Sequence, residues 1–198
     1  MAKNFRTGRM SPRWIILGGQ LWLHCFFALL IGASIAPSLA SGAQAQLTAR
    51  NAQAALMFNF AKHVTWPENA LPKGAPLTIA VLGENPFGSI LDGFEGKVVK
   101  GHPIRVAKFR SPRDYTGAHI LFCNVASIRE LRNLIKQLDL EENHVLTVGD
   151  HDGFARNGGI IQLTQRGTHL AIEYNSKAAK DAKIFLSGTL VRLATKID

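Results

Sequence analysis

Two cysteines, Cys25 and Cys123, are all that the 198 residues contain, so no framework of disulfides holds this chain together and packing has to supply its stability. Acidic residues are also scarce, 14 against 23 lysines and arginines, and none of them falls in the first 45 positions. With three tryptophans and two tyrosines, scattered bases and no interleaved row of aromatics, the footprint of a nucleic-acid binder is missing. No internal repeat, low-complexity tract, serine elbow, zinc-protease helix or paired catalytic carboxylates can be found. Gly83-Glu84-Asn85-Pro86-Phe87-Gly88 lacks both the dinucleotide spacing and the lysine of a phosphate-cradling loop, and no cofactor is expected.

What is present begins with an export pattern. Lys3, Arg6, Arg9 and Arg13 form a basic start, Trp14 to Ala36 an apolar run, and Ala43-Gln44-Ala45 the small-residue tail of a cleavage site. The reading is a signal peptide over 1–45, with an uncleaved membrane anchor as the alternative because the run approaches the ~20 residues that span a bilayer. Taking 45 from 198 leaves 153 residues (46–198), enough for one domain with a real core. Four of the 23 bases leave with the segment and none of the 14 acids, so the formal charge falls from +9 to a mild +5.

Residues 47 to 65 have helical periodicity, with Leu56, Met57, Phe60, Ala61 and Val64 on one stripe and Pro67 as the stop. Phe58, Lys62 and Trp66 recur at steps of four on another face, which is either covered by a later segment or open to a partner. Leu77–Leu82, His119–Cys123 and Val145–Val148 are short apolar runs of the kind buried on both faces of a parallel sheet. Ser89–Phe94 suggests a short helix, and Val98–Phe109 one or two strands broken at Gly101. Ser127 with Glu130 makes a capping box before the stripe Ile128, Leu131, Leu134, Ile135, Leu138. Ile160–Thr164 and His169–Tyr174 flank Gly167 at hairpin distance. Two C-terminal helices follow, capped by Asn175 or Ser176 and by Ser187, the second with an inward stripe of Leu190, Val191, Ala194 and Ile197. The expected fold is α/β, a single compact domain with a mostly parallel sheet, an antiparallel edge hairpin and helices on both faces.

Three constellations bear on chemistry. Asp150-His151-Asp152 has metal-like residue types, but adjacent residues seldom converge on one ion, and turn capping between Gly149 and Gly153 is the plainer role. Cys123 and His119 would share a strand face about 13 Å apart, too far for a nucleophile pair. The glycines at strand ends, Gly83 and Gly149 above all, stand where α/β folds place ligands.

Phe58-Asn59-Phe60-Ala61-Lys62-His63-Val64-Thr65-Trp66-Pro67 resembles the opening helix of the YfiR family. The likeness continues through Ile79–Gly83 with Pro86-Phe87-Gly88, His119–Phe122, Leu146–Asp150 with Gly153-Phe154-Ala155, and Gly158–Ile161. The resemblance implies a Rossmann-like, non-enzymatic periplasmic regulator. Such a regulator represses an inner-membrane diguanylate cyclase by binding its periplasmic region, lowers cyclic-di-GMP and with it biofilm formation, and is sequestered by an OmpA-like outer-membrane lipoprotein. A homodimer is among the arrangements it implies. Some relatives carry disulfides near the stretch matching Val148 to Ala155, where this chain has no cysteine. Phe154 with Gly158 and Gly159, Ile172 and Glu173 on the hairpin, and Leu190 are the first candidates for a partner surface, with core packing as the competing role of the apolar ones. Phe58, Lys62 and Trp66 are the second. A periplasmic small-ligand receptor using the loops at Gly83 and Gly149, and a hydrolase using Asp150, His151 or Asp152, are the competing functions.

Overall fold

The computed structural model describes residues 36–197 apart from 138, 140, 141 and 168; the basic start and nearly all of the apolar run of the export pattern lie outside the described residues. The chain divides between Ala45 and Gln46 into two units, and the second, Gln46–Asp198, holds the whole sheet. Helix α1 (Ala36–His63) is alanine-rich, which suits a helix, and Lys62 and His63 in its last turn oppose the dipole at that end. Pro67 forces the residue before it into an extended conformation. The helix accordingly stops at His63, and β1 (Val64–Thr65) follows directly.

Strands β2 (Leu77–Leu82), β3 (Val98–Val99), β4 (His102–Phe109), β5 (Ile120–Cys123), β6 (Leu146–Gly149), β7 (Ile161–Arg166), β8 (His169–Asn175) and β10 (Thr195–Ile197) form an eight-stranded sheet in the order β10-β8-β7-β6-β5-β2-β4-β3, while β1 pairs separately with β9 (Phe185–Leu186). The five central strands β4, β2, β5, β6 and β7 are parallel. β8 turns back antiparallel beside β7, with Gly167 at φ 60° in the connection. At the other edge β3 runs antiparallel to β4 through Lys100 and Gly101, both at positive φ.

Side-chain alternation splits the core in two. Ile79, Val81, Ile120, Phe122, Leu146, Val148 and Ile161 face the side covered by Ala54, Met57, Phe60 and Ala61 of α1 and by Ala179, Ile184 and Leu190. Ala80, Leu82, Leu121 and Cys123 face the other side, under Leu131 and Leu134 of α2 (Ile128–Gln137) and under Phe154. Burying each large side chain of this kind contributes ~1.5–3 kcal/mol. The caps form as the sequence suggests: Glu130 N donates to Ser127 Oγ at 3.2 Å, Ala178 N to Asn175 Oδ1 at 2.9 Å ahead of α3 (Ser176–Asp181), and Leu190 N to Ser187 Oγ at 3.3 Å ahead of α4 (Gly188–Leu193).

Three elements depart from the periodicity, the first being the helix expected over 47–65, which spans Ala36–His63 and gives way to strand at Val64–Thr65. Ser89–Phe94 yields only a 3-10 turn at Leu91–Phe94. The last helix ends at Leu193, and Thr195–Ile197 becomes β10, parallel to β8 with Thr195 opposite Glu173. The open edge of β8 offers backbone partners there, and β-branched Thr195 and Ile197 fit a strand better than a helix end.

Candidate functional site

The exposed flank of α1 carries an aromatic platform. Phe58 is half-buried and stacks on Phe94 with ring centroids 4.8 Å apart and planes 30° from parallel. Lys62 Nζ stands 4.8 Å from the Phe58 centroid, and Lys97 Nζ 5.1 Å from that of Phe94 and 5.7 Å from that of Phe58. Lys62 also donates to Asn59 Oδ1 at 3.2 Å, which steadies it over the ring. Beyond the helix end, Lys100 Nζ donates to Val64 O at 3.2 Å and Thr65 Oγ1 at 3.3 Å, tying the β3–β4 turn to β1. Opposite Thr65, Phe185 is 71% exposed, and Val98, next to Lys97, is 67% exposed. Each cation over a ring contributes ~0.5–1 kcal/mol at such exposure, and large apolar side chains gathered beside lysines suit a carboxylate-bearing protein surface. Sequence reasoning reached Phe58 and Lys62 but not Phe94, Lys97 or Phe185, because only the fold brings the 3-10 turn and β9 to α1.

Trp66 does not belong to this flank. The step of four from Lys62 assumes a helix that has already ended at His63, and the extended backbone turns Trp66 inward, 7% exposed and edge-on to His119 at 6.0 Å.

The other candidate residues do not form one surface. Phe154 is fully buried under the α2 side of the sheet, whereas Ile172 and Leu190 are buried on the α1 side. Gly159 is buried against the Phe154 ring, and an added Cβ at Gly149 or at Gly159 would overlap that ring. These two glycines therefore exist to admit Phe154. Gly158 is exposed at φ 102°, and half-buried Glu173 accepts from Arg166 at 3.1 Å. A partner approaching the folded domain meets Gly158 and Glu173, and not the three apolar side chains.

Asp150 is held by α1: Arg50 Nη1 lies 2.7 Å and Gln53 Nε2 3.2 Å from its Oδ2, and Arg50 also donates to Gln53 Oε1 at 2.7 Å. This triad explains a glutamine only 5% exposed on the inner stripe of α1. His151 Nδ1 is occupied by Asp152 O at 2.8 Å.

Cys123 is fully buried, and burial pushes its thiol up to about 12. A 46–198 form, in which Cys123 is the one cysteine, is expected to resist a thiol reagent at pH 8 and to react with one equivalent only in denaturant, as a colorimetric thiol assay checks. His119 Nδ1 accepts from Thr78 N at 2.9 Å, which leaves the ring proton on Nε2, 3.2 Å from Ala70 O. Its pKa is lowered from 6.5 by burial first, with nearby His102 acting in the same direction against the Ala70 contact. Below about 6.5 the unfolded chain takes up a proton that the native ring refuses, so stability is present above that pH and is lost on acidification, by at most ~1.4 kcal/mol per pH unit. Urea midpoints at pH 7.5 and 5.5 should therefore differ more in the parent than in His119→Gln.

A family model described as YfiR/HmsC-like matches residues 50–195, which is the whole α/β unit but for its ends. The chain belongs to the YfiR/HmsC-like family. Regulation within cyclic-di-GMP control, alongside membrane-associated diguanylate cyclases, is the theme of that family. No curated protein matches the chain. Among solved structures, a conserved domain protein from Vibrio cholerae O1 biovar eltor str. N16961 is similar at 11% identity and a TM-score of 0.46, over 66% of this chain and 57% of that one. This chain thus spans a little over half the length of that protein.

Proposed function

We propose that this YfiR/HmsC-like protein is exported to the periplasm by its N-terminal segment and there represses an inner-membrane diguanylate cyclase by docking on the cyclase's periplasmic region. The observation that carries the docking face is the stacked Phe58–Phe94 pair flanked by Lys62 and Lys97 on the exposed flank of α1. Repression of this kind needs no bond chemistry: the regulator binds the inactive arrangement of the cyclase more tightly than the active one, and that difference in affinity is the size of the effect. An OmpA-like lipoprotein that competes for the regulator would relieve it by mass action. Deleting the gene should raise intracellular cyclic-di-GMP several-fold, measured by mass spectrometry of cell extracts. An unchanged level in the deletion strain would reject the role.

A further inference from the structure

The parallel core of the sheet has the spatial order β4-β2-β5-β6-β7. The chain leaves β2, adds β4 on one side, and then crosses to add β5 on the other. The carboxyl ends of β2 and β5 therefore flank the point where the winding reverses, the place at which open α/β sheets have a ready-made crevice. A cavity of about 300 Å³ lies there, floored by Leu82 and Val125 and walled by α2 and the segment after β4. Its rim is already fixed: Gly83 N donates to Phe109 O at 2.9 Å, Asn124 N to Leu82 O at 3.0 Å, and the Asn124 side chain to Glu84 O at 2.7 Å.

Two arginines line this cavity, Arg110 just past the end of β4 and Arg129 from α2. Among the described residues neither has a carboxylate partner. One acid, Glu130, also lines the cavity, but its Oε2 accepts from Ala126 N at 2.9 Å, and Ser127 Oγ accepts from Glu130 N, so the first turn of α2 is internally capped. The positive character comes from the two arginines, with the side-chain amides of Asn124 and Asn133 beside them.

We infer that this crevice binds a small organic oxyanion, a phosphate monoester or a carboxylate of about single-ring size. The guanidinium groups meet the anion, since their planar forks match either oxyanion in a bidentate manner. The apolar floor takes the organic part, and the volume is at the lower end of small-molecule sites. The site lies on the α2 side of the sheet and stands independently of docking by the α1 flank.

The test titrates the purified protein with phenyl phosphate, benzoate and, as the uncharged control, phenol, following melting temperature and calorimetric affinity. Phenyl phosphate or benzoate should raise the melting temperature, the stronger of the two identifying the anion, and phenol should not. The exposed-site double variant Arg110→Gln/Arg129→Gln should weaken that binding at least tenfold. In the parent protein the side-chain amide resonances of Asn124 and Asn133 should shift on titration, a readout that needs no variant. No thermal shift with either anion, an equal shift with phenol, a smaller loss in the double variant, or unmoved Asn124 and Asn133 amides would overturn the assignment.

Discussion

Phe154→Ala is expected to destabilise the domain by about 3–5 kcal/mol, the range for deleting a buried aromatic ring. The ring is fully buried between Gly149 and Gly159, whose lack of side chains shapes the space around it. Removing it leaves a cavity that two backbone segments cannot close, since Gly149 is held in β6 and Gly159 N is held to Phe154 O at 3.1 Å. Phe154→Asp adds an unpaired buried carboxylate and should abolish accumulation of folded protein. The reciprocal change, Gly159→Ala, should cost stability by overlap rather than by a void. Urea unfolding with an unchanged slope measures the Phe154→Ala and Gly159→Ala losses, and the yield of soluble folded protein checks Phe154→Asp. A loss below 1 kcal/mol in Phe154→Ala would mean that the ring does not fill this space. Loss of regulation in any Phe154 variant would accordingly report unfolding before it reported a lost contact.

Phe58→Glu combined with Lys62→Glu should do the reverse, leaving the fold in place and removing the docking face. Lys62 is exposed and Phe58 half-buried, so the variant forfeits the stacking on Phe94, ~0.5–1.5 kcal/mol, and the part of the Phe58 ring that packs against the core, while the buried stripe of α1 stays in place. At a partner surface the same change replaces an aromatic anchor and a cation with two like charges against an acidic surface. Losses at such anchors are ~2 kcal/mol or more, about thirtyfold in affinity. Affinity for the detergent-solubilised cyclase, measured beside the melting temperature, separates the two effects. Equal losses of both would place Phe58 in the core instead.

The sequence carried the parallel strands and the caps because their signals are local. Leu77–Leu82 is apolar but for Thr78 since both faces of the sheet are covered, and Ser127, Asn175 and Ser187 cap helices through neighbours three residues away. Features that depend on distant partners were not legible. β10 exists because β8 presents an open edge, and no periodicity in Thr195–Ile197 encodes that. The residues nominated around Phe154 share a sequence neighbourhood or a hairpin, yet β-strand alternation sends Ile172 to one side of the sheet while Phe154 closes the other. Half of the α1 flank was visible as Phe58 and Lys62 on one helix. Phe94 and Lys97 reach it from 32 or more positions along the chain, and Trp66 leaves it because the helix ends three residues earlier.

The most direct test of repression through the α1 flank is the intracellular cyclic-di-GMP level of a deletion strain supplied with either parent protein or Phe58→Glu/Lys62→Glu at equal abundance. The parent should return the level to that of the undeleted strain, and the variant should leave it as high as in the deletion. A variant that restores the low level as fully as the parent would contradict the account.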